Sequence, residues 1–129
     1  MSMKRGIITM DESGNIIMPE NVSDIWMSEP ELVELFGVIP PTIRAAIRSV
    51  YKSGVLKEYE VQKYIRLENG YHADVFSFPM LVALAFRINT FGAEQVRNAI
   101  LERVYLRKEK TNIFFSLCVS GMNASQYQA

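Results

Sequence analysis

Hydrophobic and polar positions change rhythm several times along the chain. Two short β-prone runs, around Ile7 and Ile16, flank the turn-forming cluster Asp11-Glu12-Ser13-Gly14-Asn15, which predicts a hairpin. "NVSDIWM" reads as a connector, with Trp26 anchoring it to the core. A helical period follows. Ser28 is a good N-cap, Glu31 completes a capping-box pattern, and Leu32, Leu35 and Phe36 form one buried face before Gly37 ends the helix. A second helix opens at Pro40 and Pro41, where a missing N–H costs nothing, and closes at Gly54. Its inward stripe is Ile43, Ile47 and Val50, with Ala46 beside it. Two alternating runs around Asn69-Gly70 predict a second hairpin. Pro79 opens a helix, "PMLVALAFRI", apolar nearly all round and therefore central. "NTFG" interrupts it, and "AEQVRNAILERVYLRK" predicts a last helix with Val96, Ile100 and Val104 on one face. An apolar patch from Ile113 to Val119 leads into a small-residue, polar tail expected to fray.

The expected fold is therefore α+β: a helix-turn-helix of winged-helix-like form with two β-hairpins and two C-terminal helices. Residues 1–110 are assigned to one domain, and residues 111–129 to a C-terminal tail with a role in oligomerisation. The helix-turn-helix rests on spacing. Leu32 and Phe36 serve the first helix, Gly37 the turn and Val38 the apolar plug, while Ile43 with Ala46 or Ile47 tethers the second helix.

Charge changes the picture. The chain has 129 residues, 49% hydrophobic and 22% charged, with a formal net charge of zero. Neutrality counts against nucleic-acid binding, because phosphate neutralisation supplies much of the affinity. Yet the charge is sorted. Val22 to Val38 carries Asp24, Glu29, Glu31 and Glu34 and no base, whereas Ile39 to Leu67 carries Arg44, Arg48, Lys52, Lys57, Lys63 and Arg66 against Glu58 and Glu60. Arg44, Arg48 and Lys52 recur every four residues and make a basic ridge on the second helix. Thr42, Arg44 and Arg48 are the candidates for base contacts, since arginine matches guanine O6 and N7. Lys52, Lys57, Lys63 and Arg66 are the candidates for phosphate contacts, which position without specifying. Asn69, Tyr71 and His72, with Tyr64, complete a possible wing. The alternative is equally open: the ridge is the solvated face of an amphipathic helix, and the hairpin only caps the core.

The run "IWMSEPELVELFGVIPPTIRAAIRSVYKSGVLKE", the hairpin, and "VFSFPMLVALAFRINTFGAEQVRNAILERVYL" together resemble the RhuM-like virulence-associated family of bacteria. The resemblance covers roughly residues 25–106 and is carried by "LFGV", "AAIRSVYKSGVL", "FRINT" and "QVRNAILERVYL" in that order. It implies a DNA-binding-like module of mobile-element or phage-related proteins. Relatives often continue into a further C-terminal region, and related modules sit beside Fic or death-on-curing domains. Here Pro40-Pro41 stands where polar residues are expected at the start of the second helix.

Other chemistries lack their residues. His72 and Cys118 are the only histidine and cysteine, too few for a zinc site within one chain. Walker, dinucleotide and Fic signatures are absent from the sequence, so no enzyme activity and no cofactor are expected. No apolar run approaches a bilayer span, and "MSMKRGIITM" lacks the features of a signal peptide, so a cytoplasmic location is expected. The adjacent Phe114 and Phe115 cannot both point inward, which hints at a homodimer. The expected partner is double-stranded DNA, read by a regulator of a bacterial mobile element. The competing expectation is a protein–protein interaction module that keeps the fold without binding DNA.

Overall fold

A computed structural model describes residues 5–118, with side chains through Tyr105. The fold is mixed α+β, with two small antiparallel sheets and five α-helices among the described residues. The chain divides into two compact units, Met1–Asn98 and Ala99–Ala129. The second contains the later part of the last helix.

Strands β1 (Thr9–Met10) and β2 (Ile16–Ile17) form the first hairpin. The Asp11 carboxylate closes its loop by accepting from the Ser13 and Asn15 amides, both at 2.9 Å. Those bonds hold the Asp11 carboxyl below the usual carboxylate range, the Asn15 amide contributing most. The connector contains more structure than expected. After a 3-10 turn at Val22–Asp24, Trp26–Ser28 is a strand, β3, rather than irregular chain. Trp26 is only half-buried, and Ile25 and Met27 on either side of it are the residues in the core. Strand alternation explains this, since neighbours on a strand face opposite ways.

Helix α1 (Glu29–Phe36) starts at the Ser28 cap, as expected. Glu31 reaches back and accepts from the Ser28 amide at 2.8 Å and the Ser28 hydroxyl at 3.0 Å. Gly37 then adopts φ 65°, the left-handed conformation glycine takes without a Cβ clash, and its amide donates to the Val33 carbonyl. Three residues later α2 (Pro40–Ser53) begins, burying Ile43, Ile47 and Val50. Each such burial stabilises by about 1.5–3 kcal/mol. A one-turn helix, α3 (Glu58–Val61), was not legible in the sequence.

Strands β4 (Gln62–Arg66) and β5 (His72–Ser77) form the second hairpin, and β5 also pairs with β3, giving the order β3-β5-β4. The helix pair is thus inserted between an edge strand and the hairpin. Asn69-Gly70 does lie in the connection, but not as a two-residue turn. Leu67 donates to the Tyr71 carbonyl and Gly70 to the Leu67 carbonyl, so the loop is longer by a bulge.

Helix α4 (Phe78–Ala85) is central, with Met80, Leu81, Leu84 and Ala85 buried. It stops before "FRI", and the Arg97 guanidinium donates to the Ala85 and Ile88 carbonyls beyond its end, at 2.7 and 2.8 Å. Helix α5 (Phe91–Cys118) starts before the expected Ala93 and runs unbroken past Lys110. Val96 is buried, whereas Val104, expected on the same inward face, is exposed. The side chains of Phe114 and Phe115 and the tail after Cys118 lie outside what is described.

Two sets of contacts anchor α1. The Thr90 hydroxyl donates to the Phe36 carbonyl at 2.6 Å and accepts from the Ala93 amide at 3.1 Å. Beside it, the Gly92 backbone lies so close to α1 that a Cβ there would collide with the Leu35 carbonyl oxygen. On the other side, the Arg5 side chain is 2% exposed and forks onto two carboxylates, with 2.8 Å to Glu31 and 2.9 Å to Glu68, and donates to the Trp26 carbonyl at 2.6 Å. This ties the N-terminal segment to α1 and to the hairpin loop. Burial pushes the Glu31 carboxyl up, but hydrogen bonds from Arg5 and Ser28 override it and hold it below its ordinary range. At Glu68 the Arg5 hydrogen bond leads and acts in the same direction.

Gly92→Ala should destabilise the protein by about 1–3 kcal/mol, as overpacking does, read as a lower urea midpoint with unchanged slope. Because the folded-state acidity of Glu31 is enhanced, its contribution is full above the unfolded carboxyl range. It is lost as pH falls through the lower folded value. Melting curves between pH 7 and pH 3 should therefore show an acid limb that is shallower in Glu31→Gln than in the parent.

Candidate nucleic-acid interface

The period of α2 decides which residues share a surface. With Ile43, Ile47 and Val50 turned inward, Arg44, Arg48 and Lys52 fall on the solvent side, and all three are exposed. The helix carries them as one ridge, i, i+4, i+8. Thr42 is exposed in the first turn, toward one flank of that ridge. Lys57 is exposed just beyond the C-terminal end of α2, as the cap of α3.

The hairpin lies against one flank of α2. The Tyr51 hydroxyl, in the last turn, is 2.7 Å from Gln62 Oε1 on β4. Burial first, and then the negative charges of Glu58 and Asp74, push the Tyr51 hydroxyl up to about 12. Pairing of Gln62 with Phe76 sets the register, so Gln62, Tyr64 and Arg66 face the same side of the sheet and Lys63 the other. The hairpin residues therefore separate into two groups. Arg66 shares the side that meets Tyr51, opposite His72, whose ring stacks on Tyr64 at 5.6 Å between centroids. Lys63 points to the opposite face, where its ammonium sits 4.4 Å above the Trp26 ring. Of the seven candidate residues, Lys63 is the one the strand register turns away from the side of α2. Tyr64 and Tyr71 project into solvent, 70% and 76% exposed.

Electrostatics add a feature that the sequence period does not contain. Arg44 Nη1 donates to Glu29 Oε1 at 2.7 Å, so the acidic start of α1 reaches the basic ridge of α2. The packing of α1 against α2 brings these charges together across fifteen positions of sequence. An exposed pair of this kind is worth about 0–1 kcal/mol and is screened by salt. Arg44 is thus oriented by a carboxylate that a phosphate could replace.

A second residue missed by the sequence reading is Arg87. "PMLVALAFRI" reads as one buried helix, but α4 ends at Ala85 and Arg87 emerges exposed, its Nη1 3.0 Å from the Ser49 hydroxyl on α2. Only the end of the helix could have signalled this, and nothing in the local sequence marks it.

Among the described residues, no cluster of three or more His, Cys, Asp or Glu side chains could hold a metal ion. No helix among them is long and apolar enough to cross a membrane. A cavity of about 430 Å³ lies between β1 and α1 and is lined by Ile7, Ile8, Thr9, Met10, Leu35 and the carboxylates Glu31 and Glu34. The chain matches no protein-family model, no curated protein and no solved structure.

Tyr51→Phe should remove the helix-to-hairpin hydrogen bond at a cost of about 0.5–1.5 kcal/mol. Because the folded-state value lies above the unfolded one, the parent loses stability from about pH 10 upward. Tyrosinate absorbance of the folded parent should show a late step near pH 12, absent from the variant.

Proposed function

We propose that this chain is a non-enzymatic DNA-binding protein of winged helix-turn-helix type, acting as a dimeric regulator of a bacterial mobile element in the cytoplasm. The observation that carries this reading is the ridge of Arg44, Arg48 and Lys52 on the solvent side of α2, next to a hairpin that carries Arg66 on the same side. A helix of this kind fits the major groove, with side chains near its start facing base edges. Thr42, Arg44 and Arg48 then approach bases, while Lys52, Lys57 and Arg66 meet phosphates. Lys63 contributes only at longer range. The order β3-β5-β4, with the helix pair inserted after β3, supports the wing, because β5 joins the hairpin to the same sheet that receives the helices. The resemblance of residues 25–106 to RhuM-like proteins points the same way.

A second reading has its own support. Ile39 and Val55, at the two ends of α2, are 64% and 70% exposed, and Tyr59 on α3 is also exposed. Apolar side chains framing a charged ridge suit a protein partner as well as a groove. With no net charge, the chain also has little long-range attraction for a polyanion.

Fluorescence anisotropy with labelled random-sequence duplex across a salt series separates the two. DNA binding gives a log–log slope of about −0.9 for each phosphate neutralised. The double variant Arg44→Ala, Arg48→Ala should lose at least about tenfold in affinity while its melting temperature holds. Glu29→Gln releases Arg44 and should raise affinity about two- to fivefold at low salt. No binding at low salt by the parent, or equal binding by the double variant, would reject the basic ridge as the DNA face.

A further inference from the structure

We propose that Arg87 is a DNA-backbone contact, so that the turn after α4 grips the phosphate strand on the flank of α2 opposite the hairpin. The inference rests on the DNA-binding reading above and adds a second clamp to it.

The geometry of α2 carries the argument. Residues two apart on a helix point about 200° apart. Tyr51 reaches the hairpin at Gln62, and Ser49, two residues earlier, reaches Arg87. Hairpin and Arg87 therefore stand on opposite flanks of α2. The solvent-side arc between them holds Arg44, Arg48 and Lys52, and the remaining arc holds the buried Ile43, Ile47 and Val50. A helix lying in the major groove has a sugar-phosphate strand on each side. The hairpin faces one of those strands. On the other side Arg87 is a cation in contact with α2.

How the arginines are used separates Arg87 from those with structural roles. Arg5 is spent on Glu31 and Glu68, and Arg97 on two carbonyls at the end of α4. Arg87 is held by a neutral hydroxyl, and among the described residues no carboxylate pairs with it. Its guanidinium is oriented without being neutralised, and its remaining N–H groups are free for phosphate oxygens. Planar, bidentate recognition of phosphate is what guanidinium does best. The Arg87 amide donates to the Leu84 carbonyl at 3.0 Å, which ties the base of the side chain to the end of the buried helix α4.

The test uses the same labelled random-sequence duplex and salt series. Arg87→Gln keeps a donor for Ser49 and removes the charge. The salt slope should fall by about one unit and affinity by about three- to tenfold, with the melting temperature unchanged. Arg87→Lys should restore the slope. Ser49→Asp, on an exposed position, sets a carboxylate against Arg87 and should weaken binding without touching Arg87 itself. An unchanged slope in Arg87→Gln, while Arg44→Ala with Arg48→Ala still loses about tenfold or more in affinity, would overturn the inference and leave the DNA reading standing. A lower melting temperature with an unchanged slope would overturn it too, making Arg87 a packing residue. Parent protein that binds no duplex at any salt would reject the DNA reading and this inference with it.

Discussion

The carbonyl end of α1 joins the parts of this fold. A helix leaves its last carbonyls without partners, and here the chain must also turn sharply to begin α2. Gly37 makes the turn by entering the left-handed region. Thr90 satisfies the Phe36 carbonyl, and Gly92 lets the start of α5 lie directly on the Leu35 carbonyl. A hydroxyl and the absence of a side chain thus bring two distant segments into backbone contact. The end of α1, from which the chain turns into α2, is held in place by this contact.

The same economy governs the charges. The acidic first turn of α1 carries Glu29 and Glu31, and each has a separate task. Glu31 caps its helix and receives Arg5, whose buried fork also holds Glu68 in the hairpin loop. Glu29 meets Arg44 across the helix crossing. The N-terminal segment, the helix pair and the hairpin are therefore held in one electrostatic frame, favourable also to the positive end of α1. The pairs made by the buried Arg5 guanidinium fix geometry. The Arg44–Glu29 pair sits on the surface proposed to meet DNA, where it can be exchanged.

Much of the scaffold was legible. The first hairpin, the capping box, the Gly37 turn, the stripe of Ile43, Ile47 and Val50, and the central apolar helix all depend on periods and caps a few residues long. Other features escaped. Trp26 looked like a core anchor because it is large and apolar, but strand pairing with Ser77 set its direction and left it half-buried beneath Lys63. The one-turn helix at Glu58–Val61 is too short to show a period. The Asn-Gly pair marked the hairpin and not its bulge.

The sequence by itself determined the longer elements, the basic ridge and the segregation of acids from bases, because these follow from local spacing along one helix or one strand. Only the tertiary structure decided how the charges are used. Lys63 and Arg66 are three residues apart on one strand, so pleating sends them to opposite faces. Arg44 gains a carboxylate, and Arg87 joins α2 through Ser49, from segments far away along the chain. A pattern of residues fixes which side of its own element each side chain takes. Which element that side then meets is set by packing, through burial that sums over the whole core and that no single stretch of sequence contains.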